Sequence, residues 1–550
     1  MQELLSRAAS QYSRFQTLSK ALRSRYRHCL ILLPMLLGFC ALSSRSICQS
    51  GGSASNPVIL GDHPDPTVIR VGKTYWTAST SGDWAPEFPL YRSTDLHHWT
   101  AAGAIFPKTP AWATGNFWAP ELVRDGQRVL VFYVAHKRQG PLCVAVATAS
   151  QPEGPYQDYG PLLCQPDGSI DPAFMRDEHG KPFLIWKEDG NSIHKPTPIF
   201  AQPLSSDLLH LTGEPTQLIV NDPESWEGGV VEAPYLMRHG GRFFLFYAGN
   251  ACCGTGCRYA EGVARAEHLL GPWEKNPKNP IIAANKAWKC PGHGTAVRTP
   301  AGKDFFLYHA YPAVGTIYLG RESVLDPIAW DADGWPSVNG GNGTSGGEAP
   351  GVQSNTQRLP RQISFTDKFG SGLLGPEWKW PVDRPATVKV GKGRLFLQAE
   401  GEDDLASLAG SLLTVGYIST VGVEATSTAA GGLAVIGNRS STFALTRRGG
   451  TLQLLSLMGK APEILWQTTV SAAPVVWLRV SSDGSTAASF SYSLDHQKWI
   501  PAGDPLSVAK LPPWDQGLRI GLVAQGLRNT GASFVQFSLL NSKDPELASR

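Results

Sequence analysis

At 550 residues the chain is longer than one ordinary core can use, so two or more domains are expected. Its 49 basic and 46 acidic residues leave a formal charge of +3, spread without long runs, which gives no reason to expect a nucleic-acid partner. With 42% apolar and 17% charged residues, 58 Gly and 42 Pro, the composition suits a globular protein of many short strands and tight turns.

The N-terminal stretch reads as a leader, residues 1–48. Arg23, Arg25, Arg27 and His28 flank an apolar run from Cys29 to Leu42, and Ala41-Leu42-Ser43 has the small residues of a cleavage site. The run falls short of the ~20 residues that a spanning helix needs, so no stable membrane span is expected. The segment upstream of Arg23 is long for a secretory signal, which leaves an uncleaved anchor as the alternative. Export, secreted or periplasmic, is the preferred reading. Six cysteines remain beyond the leader: Cys143, Cys164, Cys252, Cys253, Cys257 and Cys290. Their pairing stays open. The Cys252-Cys253-Gly254-Thr255-Gly256-Cys257 segment could form a metal knuckle with Cys290 and His293, but an oxidising compartment favours a disulfide-stapled loop.

From residue 55 to 338 a divergent unit recurs about every 50–60 residues. Its strand heads align on Pro66, Pro120, Pro172, Pro234 and Thr295. Each head leads into an apolar strand, a polar turn and an aromatic strand, such as Val129-Leu130-Val131-Phe132-Tyr133 or Phe243-Phe244-Leu245-Phe246-Tyr247. Five such units of four short strands predict an all-β, five-bladed β-propeller. The innermost strand of each blade would line a central channel. Three heads carry an acid beside or near proline: Asp65 in His63-Pro64-Asp65-Pro66, Asp171 in Ser169-Ile170-Asp171-Pro172 and Glu232 in Val231-Glu232-Ala233-Pro234. Proline stiffens the chain there and favours extended backbone. A stiff, strand-borne carboxylate suits acid–base work on a sugar. Residues 339–361, rich in Gly, Ser and Asn, read as a flexible linker. Alternating strands resume over 362–543, including Arg394-Leu395-Phe396-Leu397 and a hairpin signal at Asp483-Gly484, and predict a β-sandwich.

Over the propeller the chain resembles glycoside hydrolase family 43. The resemblance rests on the three acidic motifs together with Phe117-Trp118-Ala119-Pro120-Glu121, Leu319-Gly320-Arg321-Glu322-Ser323 and Trp330-Asp331-Ala332-Asp333-Gly334-Trp335-Pro336. It implies an inverting hydrolase in which Asp65 is the general base, Glu232 the general acid, and Asp171 holds Glu232 and disfavours its ionisation. Like charge acts in that direction. The resemblance further implies a sugar-contacting Arg321, a stacking Trp118, and a channel residue in His293 that in relatives binds a central water or a structural calcium. No cofactor is otherwise implied, and Glu121 reads as structural. The C-terminal region resembles the concanavalin-like (jelly-roll) sandwiches often appended to this family. The implied substrate is a plant polysaccharide or oligosaccharide, with exo-acting release of arabinofuranose or xylose preferred. Endo-arabinanase or β-galactan hydrolysis on the same fold, and a non-catalytic glycan-binding propeller, are the alternatives. Retaining fructosidase-like propellers fit less well, since they use Asn-Asp-Pro-Asn where this chain has His-Pro-Asp-Pro. The Ser81–Pro86 and Cys252–Cys257 loops are expected to wall the pocket.

Overall fold

The computed structural model describes residues 56–346, 364–459 and 461–541. The leader and the later part of the linker lie outside the described residues. Five four-stranded antiparallel sheets follow one another in the chain. Blade one comprises Thr67–Val71, Thr74–Ala78, Glu87–Ser93 and Thr100–Phe106. The inner strands of the other four are Trp118–Asp125, Ser169–Arg176, Val231–His239 and Trp288–Arg298. The aromatic second strands foreseen from sequence are buried over most of their length, as in Arg128–His136 and Arg242–Gly249. They are buried on both faces because each blade packs between two neighbours, so their side chains need not alternate in polarity.

The ring is closed through the segment before blade one. Asn56 exchanges hydrogen bonds with the backbone of Leu325 in blade five, donating from Nδ2 at 3.1 Å and accepting at Oδ1 at 2.8 Å. The Val58 amide donates to the Ser323 carbonyl at 2.9 Å. Part of the glycine-rich stretch expected to be a free linker belongs to the same blade. Thr344 is buried, and its hydroxyl and carbonyl accept hydrogen bonds from Tyr308 and Asn285. Satisfying those buried polar groups orders the chain as far as Gly346.

The C-terminal region forms a nine-stranded and a six-stranded sheet packed face to face. Leu395, Leu433, Leu478, Ile520 and Phe534 lie in the shared core. The hairpin signal at Asp483-Gly484 joins strands Val475–Asp483 and Ala487–Ser493. A further two-stranded ribbon pairs Trp380–Pro381 of this region with Trp84–Ala85 of blade one. That contact corrects one expectation. The Ser81–Pro86 loop does not line the cleft, because Trp84 is only 3% exposed and lies beneath the Arg519 guanidinium, 4.4 Å from the ring centre. Its apolar Trp-Ala-Pro sequence is the mark of a seam between the two modules. Among the described residues no helix is long and apolar enough to cross a membrane.

Candidate active site

Each of the inner strands of blades two to five is interrupted by a register shift near its head, at Trp118/Glu121, Ile170/Ala173, Glu232/Tyr235 and Gly292/Thr295. Residues at these heads take left-handed backbone: Ala119 (φ 42°), Asp171 (φ 55°), Ala233 (φ 58°) and His293 (φ 48°), with Asp65 (φ 54°) at the head of blade one. A bulge of this kind bends the strand and re-aims a side chain. Asp65 and Asp171 are therefore not extended, as proline next to them suggested. Such a conformation costs a non-glycine residue about 1–3 kcal/mol and persists only where its surroundings impose it.

The three acids line a single cleft of about 900 Å³. Asp65 is buried beside one guanidinium and two imidazoles. Its Oδ1 lies 3.1 Å from Arg321 Nη1, 3.1 Å from His309 Nδ1 and 3.3 Å from His293 Nδ1. Its Oδ2 accepts from the Thr80 hydroxyl at 2.7 Å. Burial alone would raise the Asp65 pKa, but Arg321, His293 and His309 together hold it far below the usual carboxylate range. Thr80 in turn accepts from the Ala119 amide, so the Asp65 position is shared by blades one and two. His309 is fully buried, stacked on Tyr259, and its pKa is lowered to about 4, chiefly by desolvation.

Asp171 accepts the Ala233 amide at 2.8 Å, which fixes the backbone next to Glu232. Its pKa is raised to about 6, first by burial and then by the neighbouring charge of Glu232, against the pull of His293 and Lys187. Glu232 Oε2 accepts from Lys187 Nζ at 3.0 Å. Lys187 is fully buried and also donates to Asp189 Oδ1 and Asn191 Oδ1, at 3.0 and 2.7 Å. Desolvation opposes its charge, but Glu232, Asp189 and Asp171 outweigh that and raise its pKa.

The remaining candidates from sequence also reach the cleft. Trp118, His293 and Arg321 line it, as do Cys252 and Cys253. Glu121, by contrast, accepts from Thr67 and is pushed up to about 8 by burial, in keeping with a structural role. The six cysteines pair as Cys143–Cys164, Cys252–Cys253 and Cys257–Cys290, so no knuckle forms. Among the described residues no group of three or more His, Cys, Asp or Glu is placed to hold a metal ion.

Sequence reading missed four contributors. Lys187 and His309 sit inside apolar strands without a motif of their own. Trp514 and Asp515 come from the sandwich and line the same cleft, with Trp514 edge-on to Trp118 at 6.0 Å. Arg321 Nη2 donates to the Asp515 carbonyl at 3.2 Å. The signal available for them was Pro512-Pro513-Trp514, two prolines presenting an aromatic residue that is 60% exposed.

A propeller whose cleft gathers three carboxylates, one bonded to a buried arginine and the other two side by side, is the arrangement of a glycoside hydrolase. The chain belongs to glycosyl hydrolases family 43, whose model matches residues 54–336. Residues 366–541 match the beta xylosidase C-terminal concanavalin A-like domain. Among curated proteins it is similar to a xylan 1,3-beta-xylosidase of Vibrio sp, 27% identical over 64% of this chain and 71% of that one. A non-reducing end alpha-L-arabinofuranosidase of Bacteroides ovatus is 26% identical over 66% of this chain and 68% of that one. Coverage of such relatives runs from 55% to 90% of their own length. The fold is shared with a GH43 protein of Bacillus licheniformis (TM-score 0.73, 22% identity, 88% of this chain and 99% of that one). It is likewise shared with a xylan beta-1,4-xylosidase of Bacillus halodurans (TM-score 0.72, 20% identity, 88% of this chain and 100% of that one).

Proposed function

We propose that this inverting glycosidase releases terminal arabinofuranose or xylose from plant cell-wall polysaccharides or their oligosaccharides. Asp65 is the base that activates water, Glu232 the acid that protonates the leaving oxygen, and Asp171 the residue that positions Glu232. The observation that carries the assignment is the unequal surroundings of the two acids on one cleft. Three cationic or imidazole groups surround Asp65 and keep it ionised, as a base must be. Glu232 is held through one oxygen by Lys187 and stands beside Asp171, which accepts the Ala233 amide and fixes the backbone next to it. Arg321 and Trp118 would contact the sugar. The pentose is supported by the names of the similar proteins, which include xylosidases and arabinofuranosidases.

The test is a comparison of p-nitrophenyl α-L-arabinofuranoside and β-D-xyloside, with NMR following the first-formed anomer. Turnover of either with inversion supports the reading, and inactivity on both would sink it. Asp171→Asn supplies a second check. Burial and the neighbouring Glu232 raise the pKa of Asp171, and the two carboxylates repel one another when both are charged. With a neutral amide there, the basic limb of the kcat/KM profile should move to lower pH, and the rate at the optimum should fall about 100-fold. A basic limb that stays in place would remove Asp171 from this role.

The proposed hydrolysis uses only the three carboxylates and water. Calcium beside His293 would need about six to eight oxygens. With no cluster of three or more His, Cys, Asp or Glu side chains among the described residues, carbonyl oxygens and water would have to supply most of them. Export is supported by three disulfides, which persist in oxidising compartments, and by the leader-like N-terminal sequence. One relative, from Cellvibrio japonicus, is named as extracellular.

A further inference from the structure

The Cys252–Cys253 disulfide joins adjacent residues and lies on the cleft wall. A crosslink stabilises chiefly by closing a loop in the unfolded chain, and one between neighbours closes almost none. Its loop is already held by other means. The Arg258 amide donates to the Ala251 carbonyl at 2.9 Å, the Gly254 amide donates to Tyr311 Oη at 3.3 Å, and Cys257 is bonded to Cys290 of blade five. Tethering therefore does not account for the bond. Its position is more informative. Cys252 packs on the apolar cluster of Ala233, Ala248, Tyr259 and Tyr311, and Ala233 directly follows Glu232. Both cysteines are half-buried and line the cleft, and Cys252 is the one that also packs on that cluster.

We propose that the Cys252–Cys253 disulfide is a binding element for the glycon, a small apolar plate against which the C–H face of the sugar ring packs beside Glu232. The inference rests on the glycosidase reading of this cleft. Two oxidised sulfurs in one small ring have no rotatable side chain left to order, so contact with a sugar costs little conformational entropy. Sulfur is also polarizable and offers no strong hydrogen bond, which suits the C–H surface of a pyranose or furanose rather than its hydroxyls. Reduction to two thiols would free both side chains and remove the plate.

The experiment compares the intact enzyme with the Cys252→Ala/Cys253→Ala double variant, using the better of the two p-nitrophenyl glycosides and the matching free monosaccharide as inhibitor. Loss of the plate should raise KM and the monosaccharide inhibition constant together by about tenfold. The kcat should change by less than about threefold, because the plate touches neither the attacking water nor the leaving group. Cys253→Ala alone, which also opens the ring, should give the same split and guards against misfolding of the double variant. A Cys257→Ala/Cys290→Ala variant marks what loss of a true staple does to the thermal midpoint. An unchanged KM and inhibition constant in the ring-opened variants would overturn the proposal. So would a fall in thermal midpoint matching the staple variant without a change in KM, or alkylation of both cysteines in the unreduced native protein. If the intact enzyme turns over neither glycoside, the glycosidase reading fails instead.

Discussion

Asp65→Asn is expected to lose about 10³–10⁴-fold in kcat on every glycoside, whatever its leaving group. The amide cannot take the proton of the attacking water, and that step is common to all substrates. Glu232→Gln should behave differently. On a p-nitrophenyl or natural glycoside the loss should again be about 10²–10⁴-fold, because the departing oxygen is no longer protonated. On a dinitrophenyl glycoside, whose phenolate departs unaided, the same variant should recover to within about tenfold of the parent. The contrast separates base from acid within one pair of mutants. Equal losses by both variants on the activated substrate would overturn the assignment, and so would near-normal turnover by either. Neither change should unfold the protein, since each keeps the side chain's shape and at least one of its hydrogen bonds.

Arg321→Met should have the largest effect on stability. Arg321 is 5% exposed, donates to Asp65 Oδ1 and to the Asp515 carbonyl, and its own amide donates to Asp62 Oδ1 at 3.2 Å. Removing the guanidinium leaves the buried Asp65 with two imidazoles and no permanent cation. Breaking a buried pair of this kind costs about 3–5 kcal/mol. For a chain of this size the thermal midpoint should drop by about 3–4 °C. The sign of the pH effect follows from the same loss. Burial pushes the Asp65 pKa up and Arg321 is the foremost group pulling it down, so without Arg321 the carboxyl takes its proton at a higher pH. The acid limb of the kcat/KM profile should therefore move upward. A thermal midpoint and acid limb that both stay in place would show that Arg321 does not hold Asp65.

The blade repeat was legible because every unit repeats the same apolar and aromatic strand at a nearly constant interval. The three acids were legible because each lies one or two residues before the proline at the head of its unit. Their backbone was not. Proline neighbours suggest extended chain, whereas Asp65 and Asp171 both adopt left-handed φ, Asp171 at a register shift in its strand and Asp65 just ahead of the first strand of blade one. Lys187 escaped notice for a related reason. In Phe183-Leu184-Ile185-Trp186-Lys187 it looks like the polar end of a strand, and only the meeting of blades three and four makes it the partner of Glu232. The Ser81–Pro86 loop was misplaced because its tryptophan suits a sugar platform as well as a protein seam. Trp514 and Asp515 lie almost 450 residues beyond Asp65, and no local pattern announces a contact that depends on how one module seats on the other.

That seating has a consequence for recombining this protein with its relatives. Gly517 of the sandwich approaches Gly320 of blade five so closely that a β-carbon on Gly517 would stand 2.8 Å from the Gly320 amide nitrogen. The Gly517 amide is bonded to Asp62 at 3.0 Å, and the Leu518 amide to the Tyr318 carbonyl at 2.8 Å. A chimera that borrowed its C-terminal half from another family member would have to carry a bare backbone at this spot. Without it, the foreign half could fold well and still hold its aromatic residue away from the cleft, giving a hybrid whose two halves no longer share one site.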